Sequence, residues 1–425
     1  MSAVGTLSGT VVSTLVGSKP GEIALPAGFP WAPTWGIGGG PGRGYRPGLD
    51  PTSLRTTPVT TIYVSTTGNN ANSGATPALA KRNFAPGTGA YSSISGATRI
   101  VVEAGDYYND QGWRGLAMTT ETTYLEIVAS GGRVRMLSQE ASLTYSSAGS
   151  DAYSATLATA PFGVFDEAQV DAYGSGTWLT QQANLAAVQA SGGWFHSAGV
   201  LYVKTYDARS PDRWVCAAQT GKNGFVGNSA SLSTYHSGVD WIGFVTGIYA
   251  VNSNRTIIED CRAIASQTDG LRVAACTDAY LFRSEAHASY NGDGILHGAT
   301  GNILEVDCVG ISNGWAASDI SNASTAHGAT VIRCGGVYLN SKGPNVADVI
   351  SSKSLTLGAR IETSRGAGVQ GTNVASDGAT GKMWLADCLL DGSTYDMYTL
   401  NAGSTIYTRN TGYGATTGTG TVSTW

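Results

Sequence analysis

The chain has 425 residues, 58 of them Gly, with 13% charged and 42% hydrophobic side chains. Few charges, abundant Gly and no long Leu/Glu/Lys-rich stretches exclude a helical bundle and indicate an all-β protein with many turns. A formal net charge of −5 argues against nucleic acid as a partner, and no run of about 18 apolar residues is present for membrane insertion.

Residues 1–59 form the first unit. Eight of the 13 prolines lie there, together with the stretch WGIGGGPGRGYRPG. Such a segment cannot propagate a helix or a sheet interior. It reads as an extended N-terminal attachment arm, and Trp31, Trp35 and Tyr45 speak against a disordered tail. Its start lacks a basic region before an apolar core, so it does not read as a secretory signal. Removing residues 1–58 is expected to leave a soluble, folded body. Residues 60–138 follow as the first coils, with strands at 62–64 and 99–103. Residues 139–237 read as a β-rich inserted lobe with a strand at 201–204 and one short helix at 184–190. The sequence GVDWIGF at 238–244 marks the return to a main unit at 238–410. Residues 411–425 form a Gly/Thr-rich tail.

The main unit repeats. Asp260, Arg283, Asp307, Arg333, Arg360, Asp387 and Arg409 fall at intervals of about 22–27 residues. Each is followed by Cys261, Ser284, Cys308, Cys334, Ile361, Cys388 or Asn410. Side chains alternate faces along a strand, so the charged column is assigned outward and the cysteine column inward. A rung of this length, stacked in register at about 4.8 Å, is one coil of a parallel β-helix. The charged column reads as a ladder of surface ion pairs, and the cysteines as buried free thiols.

A second recurrence is acidic: Asp269, Asp293, Asp319, Asp348 and Asp396. If they form one stripe, neighbours stand about 5 Å apart and second neighbours about 10 Å apart. Those separations bracket the carboxylate pairs of retaining and inverting glycoside hydrolysis. Asp293 and Asp319 are the candidate catalytic pair, with Asp269, His297, Trp315, His327 and Asp348 as candidate substrate-binding residues. The competing reading is that each Asp closes a turn through its own side chain, and that the histidines are packed structural residues. No metal-ligand spacing, nucleophile elbow or phosphate loop is present, so no metal or cofactor is expected.

The strand–polar turn–strand pattern of TIYVSTTGNNANSG and ATRIVVEAGDYYND, with the rungs after residue 238, resembles the pectate-lyase-like superfamily. The resemblance implies an all-β, right-handed, single-stranded parallel β-helix carrying a β-rich insertion and an extended N-terminal arm. Members include polysaccharide lyases, polygalacturonase-like hydrolases and phage tail spikes. The polygalacturonase motifs Asn-Thr-Asp, Asp-Asp and Gly-His-Gly are missing, as is the acidic calcium cluster of pectate lyases, so no catalytic residue is carried over. The arm and the Gly/Thr-rich end make the phage tail spike or fibre the expected type. That type implies a homotrimer on the virion, assembled in the host cytoplasm. It recognises, and in one reading hydrolyses, a bacterial surface polysaccharide, and joins other virion tail proteins through the arm. The alternatives are an extracellular polysaccharide lyase or glycoside hydrolase, and a non-catalytic structural or adhesive β-helix.

Overall fold

The computed structural model describes residues 23–85, 87–109, 116–118, 123–298, 301–316, 321–367 and 371–425. The chain winds as a parallel β-helix of three sheets. A typical rung gives Leu271–Ala274 to the first sheet, Asp278–Phe282 to the second and Glu285–His287 to the third. Each pairs in register with the next rung: Leu271 with Ile295, Asp278 with Asn302, Glu285 with Val309. The first sheet has ten such strands among the described residues.

The second and third sheets meet at a sharp corner, and one residue per rung takes it in the left-handed region. These residues are Gly238, Asp260, Arg283, Asp307, Gly335, Gly358, Asp387 and Asn410, with φ between 47° and 72°. From Gly238 to Asp387 each of these N–H groups bonds the next rung, as Arg283 to the Val306 carbonyl at 2.8 Å and Gly335 to that of Leu357 at 2.7 Å. This corrects the charged column. Arg333, Arg360 and Arg409 are strand residues, and the corners of their rungs are Gly335, Gly358 and Asn410. A charge-based alignment passed over the glycines, although glycine is the residue that takes this conformation without cost. Arg333 faces the lumen and is fully buried. Surface pairing survives at the upper corners, where Arg283 bonds Asp260 at 2.8 Å.

Cys261, Cys308 and Cys388 do follow corners, but Cys334 precedes one and belongs to the outer face of the second sheet. All six cysteines are free and buried. Burial pushes the thiols of Cys216, Cys261, Cys334 and Cys388 up to about 12, which leaves them unreactive near neutrality.

Both faces of the second sheet are apolar. Ile258, Leu281, Ile303 and Val331 fill the lumen. Tyr235, Ile257, Tyr280, Leu304, Ile332, Leu355 and Trp384 point outward and are covered by the N-terminal segment. That segment is a strap against the body. Its hairpin pairs Ile37–Gly40 with Gly44–Pro47. A Cβ on Gly39 would lie 2.0 Å from the Gly44 carbonyl oxygen, so only glycine closes this turn. Ile37 and Tyr45 are buried on the sheet, and Phe29 meets Trp384 edge-on at 5.6 Å. Polar stitches fix the register: Arg46 pairs with Asp307 at 2.9 Å, the Tyr45 hydroxyl donates to Asp387, and Arg55 forks onto Glu126 with two bonds of 2.9 Å. The expected solubility of a body lacking residues 1–58 does not fit this packing.

The inserted lobe is two small antiparallel sheets and a helix, Leu185–Ser191, whose N-cap Asn184 accepts the Ala187 N–H. The return to the solenoid comes earlier than residue 238. Phe225–Asn228 already pairs between the first-sheet strands Leu116–Met118 and Ile248–Val251. At the other end, Thr416–Gly418 and Thr421–Thr424 form a final rung where a tail was expected. The lobe sits on the third sheet through Phe165 and Trp178, packed on Ile242, Ile264 and Ala288. The Trp178 indole N–H donates to the Ala288 carbonyl at 2.8 Å.

His236 lies in the lumen against Phe225 at 4.5 Å, and neither ring nitrogen has a hydrogen-bond partner among the described residues. Burial depresses its pKa from 6.5 to about 3. The folded state therefore keeps it neutral, and stability is lost as pH falls from 6.5 towards 3, at up to about 1.4 kcal/mol per pH unit. His236→Phe should remove this acid-sensitive component, read as a flatter plot of unfolding free energy against pH.

Candidate functional site

The structure separates the acidic residues into different settings. Asp269 and Asp293 occupy equivalent turns on consecutive rungs, each just before a first-sheet strand. Asp269 Oδ1 accepts the Asp293 N–H at 3.1 Å. Asp293 Oδ1 accepts the Asn322 N–H at 2.7 Å and its side-chain amide at 3.1 Å. Each carboxylate ties its own turn to the next. Asn322 holds the position next in register after Asp293, and Asp319 lies outside the described residues. Asp348 is in strand Val346–Val349 and faces the lumen, where Ser354 Oγ donates to it at 2.6 Å. His297 is also in the lumen, 2.7 Å from Glu305. Asp396 aligns one position later than Asp293 and accepts from Asn373 at 2.8 Å. The single stripe is therefore not formed. A shared rung length fixes the strands in register, but turns of variable length set where an acid falls.

Among the candidate acids in the described residues, Asp293 and the lumen-facing Asp348 both have pKa values raised by burial, Asp348 to about 6. Burial, and then the charge of Asp269, push Asp293 up to about 7. Beside it, Arg272 pairs with Asp269 at 3.3 Å and lies over the Tyr249 ring at 4.8 Å. His327 is partly buried, and burial followed by the Arg272 charge pushes its pKa down. Trp315 is 41% exposed, with its backbone N–H on the Ser289 carbonyl at 3.1 Å.

A second cluster, not found in the sequence, lies between the lobe and the third sheet. Along the outer face of that sheet, Asp106, Arg135, Asp240, Arg262 and Glu285 stand in register on successive rungs with alternating sign. Arg135 bonds Asp106 at 3.0 Å, and Arg262 grips Asp240 with bonds of 2.9 and 2.5 Å. Asp240, Arg262 and Glu285 each lie two residues past a corner, a rung-spaced signal visible in the sequence once the corners are known. The lobe adds Glu167, which bonds Arg135. An open cavity here is lined by Glu167, Phe165, Gly174 and Gly176 from the lobe and by Arg262, Ile264 and His287 from the sheet. The overhanging loop is anchored by Asp171, which accepts from Ser312 Oγ at 2.5 Å.

The carboxyls of this cleft are pushed in opposite directions. Burial raises Glu167, against the charges of Arg135 and Arg262. Glu285 is lowered: burial opposes this, but the His287 bond at 3.0 Å and the charges of Arg262 and Arg133 outweigh it. A carboxyl biased towards its acid form near one biased towards its ionised form is the kind of asymmetry that paired acid and base work uses.

No family model matches the chain, and a search of curated proteins finds no match. Solved structures align with the chain at low identity. A protein described as a glycoside hydrolase aligns over 86% of this chain and 96% of its own, at 10% identity and a TM-score of 0.46. XylC, solved with xylose, aligns over 83% and 70%, at 9% identity and a TM-score of 0.48. The pectate lyase Pel9A aligns over 88% and 78%, at 10% identity and a TM-score of 0.41. The strand pairings of this chain themselves define the fold as a parallel β-helix. The chemistry must therefore be argued from this chain's own side chains.

Proposed function

We propose that this protein processes a polysaccharide in the cleft between its lobe and third sheet. The observation that carries this reading is an open cavity lined by Glu167, Arg262 and His287, with Glu285 bonded to His287 behind it and the two carboxyls biased in opposite directions. Protonated Glu167 gives its proton to the glycosidic oxygen as that bond breaks. Ionised Glu285 then either attacks the anomeric carbon, for water to release the sugar later, or takes a proton from water attacking directly. Arg262 keeps Glu285 anionic, and His287 orients it. The anomeric configuration of the product separates the two routes.

The experiment is incubation of the protein with a panel of bacterial surface polysaccharides. New reducing ends without absorbance of unsaturated sugars support hydrolysis. Unsaturated ends transfer the reading to a lyase, and no product from any polymer leaves an adhesive β-helix.

A second reading places the acid at Asp293, with Asp269 alongside, on the turn edging the first sheet. It is favoured by the rise of Asp293 to about 7 and by the neighbouring Arg272–Tyr249 platform. In that reading Asp319, His327 and Trp315 keep their roles from the sequence. The phage tail spike is a proposal about assembly and rests on the sequence of the arm and the C-terminal end. Because the strap already covers the second sheet, a homotrimer would have to form through other surfaces. Sedimentation equilibrium checks this: three times 43.7 kDa is expected, and a monomer removes the trimer.

A further inference from the structure

The apolar filling of the lumen is interrupted. One buried cluster runs from Ile62 to Val331, and a separate one includes Val346, Ile361 and Ile406. Between them the interior is polar. Glu305 is fully served there: its Oε1 accepts from His297 Nε2 at 2.7 Å, Ser324 Oγ at 2.7 Å and Arg333 Nε at 3.1 Å, and its Oε2 accepts from the Tyr338 hydroxyl at 2.8 Å. The far side of the Arg333 guanidinium is not served. Nη1 lies 3.9 Å from Asp348 Oδ1, beyond hydrogen-bond length. Among the described residues Nη1, Nη2 and Asp348 Oδ1 have no hydrogen-bond partner, and neither do Thr356 Oγ1 and Ser376 Oγ. All four residues are fully buried.

These orphans lie together. Thr356 is next in register after Arg333, and Ser376 is next after Asp348, so two neighbouring rungs present them to the same part of the lumen. We propose that this part of the lumen is a built site for ordered water, bridging Arg333 to Asp348 and satisfying Thr356 and Ser376. The mixture of groups selects the ligand. Arg333 only donates, an ionised Asp348 only accepts, and the hydroxyls do either. A halide could serve the guanidinium but would face the carboxylate. A metal cation could serve the carboxylate but would face the guanidinium. Water meets both demands, as buried waters typically do with two to four polar partners. A dry site would leave each orphan at its full desolvation cost. The hydroxyl residues Thr356 and Ser376 stand where the next rung carries Leu385 and Thr399.

The test is a high-resolution crystal structure of the full chain grown with bromide in place of chloride, with anomalous data at the bromine edge. The expected result is at least one water peak within hydrogen-bond distance of Arg333 Nη and Asp348 Oδ1, without anomalous signal. An anomalous peak there would replace water by an anion. An empty lumen, or Arg333 closed directly onto Asp348, would overturn the proposal. Thr356→Val, which keeps shape and removes a hydroxyl, provides a second reading. A water bonded to that hydroxyl should be displaced or lost while the main-chain trace is unchanged, and an unaltered water pattern counts against the hydroxyl as a partner.

Discussion

Deleting residues 1–58 should produce a protein that aggregates on expression. The truncation strips the cover from Tyr235, Ile257, Tyr280, Leu304, Ile332, Leu355 and Trp384, a continuous stripe along the second sheet. Fully burying such a side chain is worth about 1.5–3 kcal/mol, so the loss is on the order of ten kcal/mol. That equals the whole stability of an ordinary domain. Any folded remainder would carry an apolar patch of the kind that drives association. The checks are the soluble fraction, dye binding to exposed apolar surface and melting temperature. A monomeric truncated chain melting with the parent would show that the strap contributes nothing. A gentler variant, Phe29→Ala, removes a half-buried ring that meets Trp384 and should lower stability by about 1–2 kcal/mol, less than a fully buried Phe would cost.

The second large effect is at Arg333. Arg333→Met keeps bulk but leaves Glu305 without its buried cation, and should cost about 3–5 kcal/mol in denaturant unfolding. Adding Glu305→Gln should recover part of that loss, because it removes the stranded charge. The pH dependence separates the two partners. Glu305 is held down to about 2, chiefly by Arg333 against burial, so its contribution is lost as pH falls from 4.5 towards 2. Asp348 is raised by burial to about 6 despite Arg333, so its effect has the opposite sign: folded stability declines as pH rises from 3.8 towards 6. In Arg333→Met the acid limb from Glu305 should flatten, and an unchanged acid limb would mean that Arg333 does not hold the Glu305 charge.

The solenoid was legible in the sequence because a rung repeats its strand pattern at nearly constant length, and Asp260, Arg283, Asp307 and Asp387 are true corners. The error at Arg333 has a physical source. A charged residue is normally read as exposed, and nothing local distinguishes an arginine facing a buried glutamate one rung away. Ile257 and Tyr280 share the cysteines' parity along the strand and so read as inward, yet they point outward because the corner at 260 and 283 intervenes. That both faces are buried depends on a strap some 200 residues distant in sequence, which short-range patterns do not encode. The acidic candidates failed as a single stripe for a related reason. Asp269 and Asp293 share a turn position, but Asp348 entered a strand and turned inward. Glu167 meets Arg262 and His287 only because the lobe folds back on the third sheet, a contact with no local signature.

The most direct measurement compares three proteins on the polysaccharide that the parent cleaves: parent, Glu167→Gln and Asp293→Asn. If the chemistry lies in the cleft, Glu167→Gln should lower turnover by about 10²–10⁴-fold, with binding retained, because the amide keeps shape and cannot supply the proton. Asp293→Asn should keep turnover within a few fold. Loss of turnover in Asp293→Asn with full activity in Glu167→Gln would contradict the cleft and move the acid to the first-sheet turn.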